Sequence, residues 1–418
     1  MSINAKNYQL MWKKIQTFFG KAKDNTHYKP LDKKIVTAYN KTRENKNHKT
    51  VCYAPEKMMY FGHKGFVYAC TANRSYVLGR FPAQSIQEMW FGEKAAKLRK
   101  YIRHNDLTLG CANCETQFCN QNFHIVKARQ YDTQPLNKSK YPSVLSFELS
   151  NTCNLECVMC SGTYSSSIRK NREKLPPLPT PYDANFVAQL EAFIPHLYET
   201  KFYGGEPFLV DIYYDIWEKI VRINPNVIIQ IQTNATILNQ RVKNLLENGT
   251  FNINISLDSL HKPTYESIRK NAKLDKVLEN IAYFNEYCKK QNTFIGISVC
   301  PMRQNWCEMP DFIDFCNELD VPVYFHTVWN PLHCSLWNLP AAELIEIEKF
   351  LKQKNHFSTK TSLEQDNQKA YNDLLRQVTQ WKDYALELEK ENLFLENKEH
   401  WQYTNHPIYA RMAAYENK

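Results

Sequence analysis

Three cysteines in one short loop constrain this chain more than any other feature. Cys153, Cys157 and Cys160 form a C-x3-C-x2-C pattern. They directly follow an apolar run, residues 144–149, that predicts a strand. Three thiolates on one loop can ligate three corners of a cubane iron–sulfur cluster and leave the fourth iron without a protein ligand. A structural zinc site would need a fourth ligand nearby, and none follows before His196. A zinc knuckle or plain buried thiols are the alternatives.

The composition excludes several classes of protein. The chain has 418 residues, of which 43% are hydrophobic and 23% charged. These values predict a globular protein with two or three domains. No run of about 18 apolar residues is present, so we expect no membrane partner, and the first residues lack the pattern of a secretion signal. The chain has 13 cysteines. Without an export signal they predict a cytoplasmic protein whose clustered thiols bind metal.

The net charge of +10 is concentrated in residues 1–50, which hold twelve Lys and Arg and three Asp and Glu. A basic leader of this kind suits an acidic partner, but a solvated tail is the simpler interpretation. Basic and aromatic residues do not alternate there, so we do not expect nucleic acid binding. We predict a short amphipathic helix over residues 8–19 and a linker or lid over residues 21–50.

A second cysteine-rich stretch spans residues 51–123. Gly65 lies among β-prone residues and predicts the turn of a hairpin, while Ser85 and Glu88 have the spacing of a capping box for a helix that runs to about Arg103. Its cysteines could saturate one cubane cluster or bind zinc. The four candidate ligands are Cys52, Cys70, Cys111 and Cys114, and Cys119 is either spare or an alternative fourth ligand.

Beyond Pro142, β-prone runs alternate with helical stretches. Six such βα units with right-handed crossovers predict an α/β fold, a (βα)6 partial TIM barrel over residues 143–335. A helical extension is expected over residues 341–418. Active sites in such sheets lie at the carboxyl ends of the strands. The expected strands are 144–149, 201–203, 227–232, 252–257, 294–299 and 321–326, and the expected helices are 183–197, 211–224, 238–248, 274–291, 310–319 and 341–353.

Polar motifs follow several of these strands. Gly204-Gly205-Glu206-Pro207 would let the backbone approach a ligand closely and place an anionic acceptor beside it. Ser256 and Asp258 alternate onto one face, where a hydroxyl and a carboxylate can hold ribose hydroxyls. Each motif also has a simpler interpretation, as a turn or a strand-end cap. Further candidate contacts are Asn234 at the third strand end and Arg269 in the following helix.

The combination resembles the radical S-adenosylmethionine (radical SAM) enzymes over about residues 51–335. The loop of Cys153, Cys157 and Cys160 is similar to the family's cluster loop, although Met159 replaces the usual aromatic residue. In the family, the Gly-Gly-Glu-Pro motif holds the methionine ammonium. The resemblance also implies that Thr233-Asn234-Ala235 contacts the cofactor, that Arg269 lies near its carboxylate, and that Ile297 and Val299 flank its adenine.

The resemblance further implies a mechanism. The open iron of a [4Fe-4S] cluster would bind S-adenosylmethionine, and one electron would cleave it to a 5'-deoxyadenosyl radical that abstracts a hydrogen from the substrate. An external electron donor such as flavodoxin or ferredoxin is implied. The substrate, a peptide or protein side chain or a small polar metabolite such as a sugar or nucleotide, is not identified by the sequence. A non-catalytic binding protein with zinc in both cysteine groups is the alternative.

Residues 51–123 resemble the Twitch or SPASM module of this family, which here precedes the barrel instead of following it. The resemblance implies an auxiliary [4Fe-4S] cluster, held by Cys52, Cys70, Cys111 and Cys114, that aids substrate binding or electron transfer. No further cysteine follows Cys119 before the barrel, so the form with one auxiliary cluster fits better.

Overall fold

One nine-stranded sheet organises the molecule, in the order β3-β2-β1-β4-β5-β6-β7-β8-β9. The computed structural model describes residues 27–44 and 48–390. The strands from β4 to β9 pair in parallel. The strands are β1 Met58–Phe61, β2 Phe66–Tyr68, β3 Gly79–Arg80, β4 Val144–Phe147, β5 Glu199–Phe202, β6 Ile228–Thr233, β7 Phe251–Ser256, β8 Ile295–Val299 and β9 Val323–Phe325.

Helices connect the parallel strands, which gives the α/β architecture of a partial barrel. The described α-helices are α1 Lys33–Thr42, α2 Ala54–Lys57, α3 Ile86–Phe91, α4 Glu93–Arg103, α5 Ala112–Cys119, α6 Ser166–Asn171, α7 Ala184–Gln189, α8 Asp211–Ile223, α9 Gln240–Glu247, α10 Lys262–Ile268, α11 Leu274–Gln291, α12 Met309–Leu319, α13 Ala341–Gln353 and α14 Ser362–Lys390.

The outer face of the sheet is apolar and packs against the helices. Trp217 of α8 is fully buried, and its ring lies edge-on to Phe202 of β5, with centroids 5.2 Å apart. Strands β6 and β7 alternate strictly between buried and half-buried residues. Their buried residues, such as Ile231 and Ile253, belong to the main core. Every strand predicted between residues 144 and 326 is present, with ends shifted by a few residues.

The N-terminal hairpin belongs to the same sheet as the barrel. Strand β1 pairs in parallel with β4, with Met58 opposite Val144 and Phe61 opposite Phe147, and β2 pairs antiparallel with β1. Residues 51–123 nevertheless have a core of their own, which includes Leu98 and Phe118. The predicted boundary between residues 51–123 and 143–335 therefore separates two cores but not two sheets.

The structure corrects two of the predicted helices. The helix expected to run from Ser85 to Arg103 is capped as predicted by Ser85 and Glu88, but it ends at Phe91, and α4 begins after Gly92. Gly92 is extended, and a Cβ there would lie 2.3 Å from the carbonyl oxygen of Glu88. The helix expected over 183–197 is α7 followed by two 3-10 turns, since Pro195 lacks the N–H that an α-helix requires.

The predicted linker or lid over residues 21–50 contains helix α1. Asp32 caps this helix, and Tyr39 is fully buried against Phe118. Arg43, at its end, forms a buried ion pair with Asp132, with Nε 2.7 Å from Oδ2. Helix α1 is therefore packed onto the N-terminal core. The helix expected over residues 8–19 lies outside the described residues.

Helix α14 covers the β9 edge of the sheet. The backbone N–H of Val323 in β9 donates to the side chain of Asn367 at 2.9 Å, and Asn367 Nδ2 donates to the carbonyl of Val321 at 3.1 Å. A side chain thus pairs with backbone groups that an exposed edge would present to another chain. None of the helices in the described ranges is long and apolar enough to span a bilayer.

Candidate cofactor and cluster sites

The three-cysteine loop is fixed by contacts from its flanks. The hydroxyl of Ser165 donates to the carbonyl of Leu155 at 2.6 Å, and the hydroxyl of Ser167 donates to that of Cys153 at 2.7 Å. The N–H of Val158 donates to the carbonyl of Ile268 at 2.9 Å. These bonds hold the backbone from both sides, so the loop is ordered around its sulfur atoms.

The three thiols lie close enough to affect one another electrostatically. The pKa of Cys160 is raised to about 12, mainly by burial and in part by the neighbouring thiols of Cys157 and Cys153. Burial likewise raises the pKa of Cys153 to about 11. Three crowded thiolates are unfavourable in a buried site unless a cation compensates them. A cluster iron bound by each sulfur supplies that compensation, so the residues fit a cluster with three protein ligands.

The turn after β5 is pressed against the cluster loop. Gly204 and Gly205 have φ angles of +84° and +55°, which favour glycine. A Cβ on Gly205 would lie 2.1 Å from the carbonyl oxygen of Thr152, and one on Gly204 would lie 2.6 Å from that of Ser150. The two glycines therefore let the Gly-Gly-Glu-Pro turn contact the cluster loop backbone directly, one residue before Cys153.

Glu206 is fully buried at this contact. Its carboxylate accepts the hydroxyl of Thr233 at 2.8 Å and the N–H groups of Asn234 at 2.7 Å and Phe208 at 3.2 Å. Burial raises its pKa to about 7, against the lowering effect of these donors. The carboxylate thus ties the turn after β5 to the end of β6. Pro207 is buried beside it.

Asn234 reaches the cluster loop from the end of β6. Its Nδ2 donates to Asn154 Oδ1 at 3.2 Å and lies 4.0 Å from the sulfur of Cys153. The structure therefore brings Glu206, Asn234 and the cysteine loop together, as expected for residues that follow neighbouring parallel strands.

Asp258 differs from the prediction. Its carboxylate is fully buried, with Oδ2 2.8 Å from Arg269 Nη2 and Oδ1 accepting the N–H of Cys300 at 2.8 Å. Both oxygens are engaged by the protein, so this geometry does not support the predicted contact with ribose hydroxyls. Asp258 instead holds Arg269, which lies within electrostatic reach of Cys157.

The remaining predicted contacts divide between the two faces of the sheet. Ser256 is half-buried on the inner face, where it accepts Gln232 Nε2 at 2.7 Å. Ile297 and Val299 are fully buried in the main core, on the opposite face of β8 from Ser298. This burial does not support their position beside the adenine, which stays a prediction.

The auxiliary cysteines Cys52, Cys70, Cys111 and Cys114 line one cavity. Burial and the other thiols together raise the pKa of Cys111. Cys119 is exposed and does not line the cavity.

N–H groups surround these sulfurs. The backbone N–H of Ala54 lies 3.4 Å from Cys52 Sγ, and that of Asn73 lies 3.3 Å from Cys70 Sγ. Asn73 Nδ2 donates to Cys111 Sγ at 3.2 Å. Such donors stabilise negative charge on cluster thiolates.

The spacing of the cysteine side chains bears on the choice between a cluster and a zinc ion. A zinc ion requires its ligands to converge on one point, with Zn–S bonds of about 2.3 Å. Within residues 27–44 and 48–390, no three His, Cys, Asp or Glu side chains are placed to share a single metal ion. The four auxiliary thiols surround a cavity instead, an arrangement that fits a cubane better than a zinc ion.

The sequence interpretation missed the polar character of the barrel interior. The inner face carries amides, hydroxyls and charged groups where closed TIM barrels are filled by branched apolar side chains. The signal was present in the alternating sequences Ile228–Thr233 and Phe251–Ser256. The inner-face residues in register are Tyr60, Ser146, Lys201, Gln230, Gln232, Asn252, Asn254, Ser256 and Ser298.

A second missed feature joins the N-terminal module to the barrel. Glu148 follows β4 and lies beside Gly204. A Cβ on Gly204 would be 3.1 Å from Glu148 Cγ. Its carboxylate accepts the hydroxyl of Tyr60 and lies 3.0 Å from Arg74 Nη2. Burial raises the pKa of Glu148 to about 8. Tyr60 and Arg74 come from the hairpin module, so this cluster links the two cysteine sites.

Comparison with known proteins agrees with this geometry. Residues 147–316 match the model of the radical SAM superfamily, and residues 52–115 match the model of SPASM, an iron–sulfur cluster-binding domain. The chain is 30% identical over 182 residues to GTP 3',8-cyclase of Limosilactobacillus fermentum, covering 42% of this chain and 51% of that protein. It is 29% identical over 192 residues to that of Clostridium perfringens strain 13, covering 45% and 57%. The chain thus spans about half the length of the curated relatives it matches.

Two solved structures give weaker likenesses. Native anSMEcpe with bound AdoMet has a TM-score of 0.38 and 21% identity, covering 50% of this chain and 58% of that one. SuiB of Streptococcus suis bound to S-adenosylmethionine has a TM-score of 0.34 and 15% identity, covering 57% and 49%. The family models and the arrangement of the two cysteine groups lead to one conclusion: the chain contains a radical SAM domain and, ahead of it, a SPASM-type cluster-binding domain.

Proposed function

We propose that this enzyme reductively cleaves S-adenosylmethionine and abstracts a hydrogen atom from its substrate. The observation that carries the proposal is the contact between the Gly204-Gly205 turn and a loop whose three cysteines leave one cluster iron open. When bound, the cluster and S-adenosylmethionine supply the radical chemistry. The protein supplies ligation, orientation and exclusion of water.

The residues divide this work by position. Cys153, Cys157 and Cys160 ligate the reducing cluster. The turn of residues 204–207 receives the methionine end, where backbone carbonyls offer acceptors for an ammonium group and the buried Glu206 carboxylate holds the turn in place. Asn234 and Ser256 offer polar contacts, and Arg269, held in place by Asp258, offers a cation for a carboxylate.

The auxiliary cluster would be ligated by Cys52, Cys70, Cys111 and Cys114. Four thiolates saturate a cubane, so this cluster would have no open iron and would serve electron transfer or substrate placement. Lys127 lines the same cavity. Burial lowers the pKa of Lys127, and the nearby Cys70 and Cys114 partly offset this effect. A flavodoxin or ferredoxin is the proposed electron donor, and the reducing cytoplasm is the proposed location.

The substrate is a peptide side chain or a small polar metabolite. The relatives named GTP 3',8-cyclase make a nucleotide one candidate. The zinc alternative is not favoured, because residues 52–115 match the model of an iron–sulfur cluster-binding domain.

The direct test is anaerobic incubation of the reconstituted, dithionite-reduced protein with S-adenosylmethionine. We expect 5'-deoxyadenosine and methionine in equal amounts, measured by liquid chromatography and mass spectrometry. The Cys157→Ala variant should give neither, because its cluster loses a ligand. Methylated product without 5'-deoxyadenosine would contradict hydrogen abstraction.

A further inference from the structure

The inner wall of the barrel carries a continuous chain of hydrogen-bonded side chains across four strands. Gln232 Nε2 donates to Ser256 Oγ at 2.7 Å. Asn254 Nδ2 donates to Gln232 Oε1 at 2.8 Å and to Ser298 Oγ at 2.9 Å. Ser298 Oγ and His326 Nε2 are 3.1 Å apart. These bonds orient the side chains before any ligand enters, which lowers the cost of binding one.

Some polar atoms of this wall lack a protein partner. Asn254 Oδ1 and Ser146 Oγ are buried without a hydrogen bond in the part of the chain that the structure describes. Buried polar atoms are normally satisfied, so these two need a partner from water or from a ligand. Both residues lie on the inner face, in register with Gln232 and Lys201 respectively.

The charges along the wall are paired within the protein. Lys201 Nζ lies 3.3 Å from Glu199 Oε2, and Arg74 lies 3.0 Å from Glu148. Burial lowers the pKa of His326, so its ring is neutral at neutral pH. The chain from Gln232 to His326 therefore presents neutral donors and acceptors, with no apolar side chain among them. Such a surface suits hydroxyl and amide groups and offers nothing to an aliphatic or aromatic side chain.

We propose that this wall is the substrate-recognition surface and that it selects a polar small molecule rich in hydroxyl or amide groups, of the sugar or nucleoside type. An aliphatic or aromatic peptide side chain is thereby disfavoured as the substrate. This inference rests on the proposed function and names the substrate class of the same site. Asn254 and Gln232 are its specificity-determining residues.

The test uses the reconstituted full-length enzyme and two deuterated pools from cells that make the protein. One pool contains metabolites below 1 kDa after exhaustive peptidase digestion. The other contains undigested peptides. The hydrogen that leaves a substrate carbon forms the new C–H bond of 5'-deoxyadenosine, so deuterium in that product reports a substrate. We expect deuterated 5'-deoxyadenosine with the peptide-free pool.

Asn254→Leu should lower this deuterium transfer by about tenfold or more, because one amide makes two wall hydrogen bonds and carries the unpartnered oxygen. Asn244→Leu is the matched control, since Asn244 is exposed on α9. The response of each variant's electron paramagnetic resonance (EPR) spectrum to S-adenosylmethionine reports an intact fold and cofactor site.

Deuterium from the peptide pool alone, or from neither pool while unlabelled 5'-deoxyadenosine still forms, would overturn the inference and leave the proposed function standing. Equal deuterium transfer by Asn254→Leu and wild type would also overturn it. Absence of any 5'-deoxyadenosine would remove the proposed function and this inference together.

Discussion

Asp258 illustrates how a residue at a strand end can serve a neighbouring side chain instead of a ligand. Its position after β7 predicts a ligand contact, because Ser256 and Asp258 share a face. In the structure, the carboxylate of Asp258 points toward Arg269, which lies at the end of α10, the next helix along the chain. Sequence spacing could not reveal this pairing, since it depends on the packing of α10 against the strand ends.

We expect Asp258→Asn to destabilise the enzyme by about 3–5 kcal/mol, because it leaves the Arg269 guanidinium buried without its counter-charge. Urea unfolding of the anaerobic protein measures this change. The double variant Asp258→Asn/Arg269→Met should recover part of the loss. Additive losses in the double variant would show that the two side chains do not interact.

Gly205→Ala tests the close approach of the turn to the cluster loop. An alanine Cβ would lie 2.1 Å from the carbonyl oxygen of Thr152, so the turn and the loop would have to move apart. The φ of +55° also strains any L side chain. We expect affinity for S-adenosylmethionine to fall by about tenfold or more, measured by equilibrium dialysis. Gly249→Ala is the control, because its nearest neighbours are the side chains of Phe251 and Val221. Equal affinity in both variants would contradict the role of the turn.

At the scale of elements, the sequence predicts the parallel strands because their hydrophobic runs and intervening helical patterns are local. It does not predict which face of β8 is inner, because Gly296 and Ser298 are small and do not mark one face as clearly polar. It also misses the break at Gly92, where the backbone is extended beside Glu88. It assigns Lys33–Thr42 to a linker, because the packing of that helix depends on residues distant in the chain.

Helix α14 provides a prediction with a defined pH dependence. Glu348 of α13 accepts Thr379 Oγ1 at 2.6 Å and pairs with Lys382 at 3.1 Å, both on α14. Burial alone would raise its pKa, but hydrogen bonds from Thr379, Lys352 and Lys382 lower it to about 2. The carboxylate therefore stabilises the docked helix above its ordinary pKa, and that stability is lost as pH falls toward about 2.

We expect Glu348→Gln to lower the free energy of local opening of α14 by about 1–2 kcal/mol at pH 7, measured by amide hydrogen exchange. The difference from wild type should shrink as the pH falls from the ordinary glutamate range toward about 2, because the carboxylate is protonated first in the opened state and then in the docked one. Glu346→Gln, on the same helix and exposed, is the control. A difference that persists unchanged in acid would contradict the electrostatic explanation.

At the scale of the whole molecule, the structure joins the two cysteine sites through one sheet. Strand β1 leads from the auxiliary module and pairs with β4, which leads into the cluster loop. The Tyr60–Glu148–Arg74 cluster lies at this junction. The motifs alone identify both cysteine groups, but the joining of their domains could not be predicted, since the module precedes the barrel here and the strand pairing is long-range.

Counting iron in cysteine variants, together with the EPR response to S-adenosylmethionine, tests the assignment of the two sites most directly. Two cubanes predict about eight irons per chain. Changing Cys153, Cys157 and Cys160 to alanine should leave about four, in a cluster whose reduced EPR spectrum does not respond to the cofactor. Changing Cys111 and Cys114 to alanine should spare the responsive cluster. Zinc in the triple variant, or a remaining cluster whose spectrum changes with S-adenosylmethionine, would contradict the assignment.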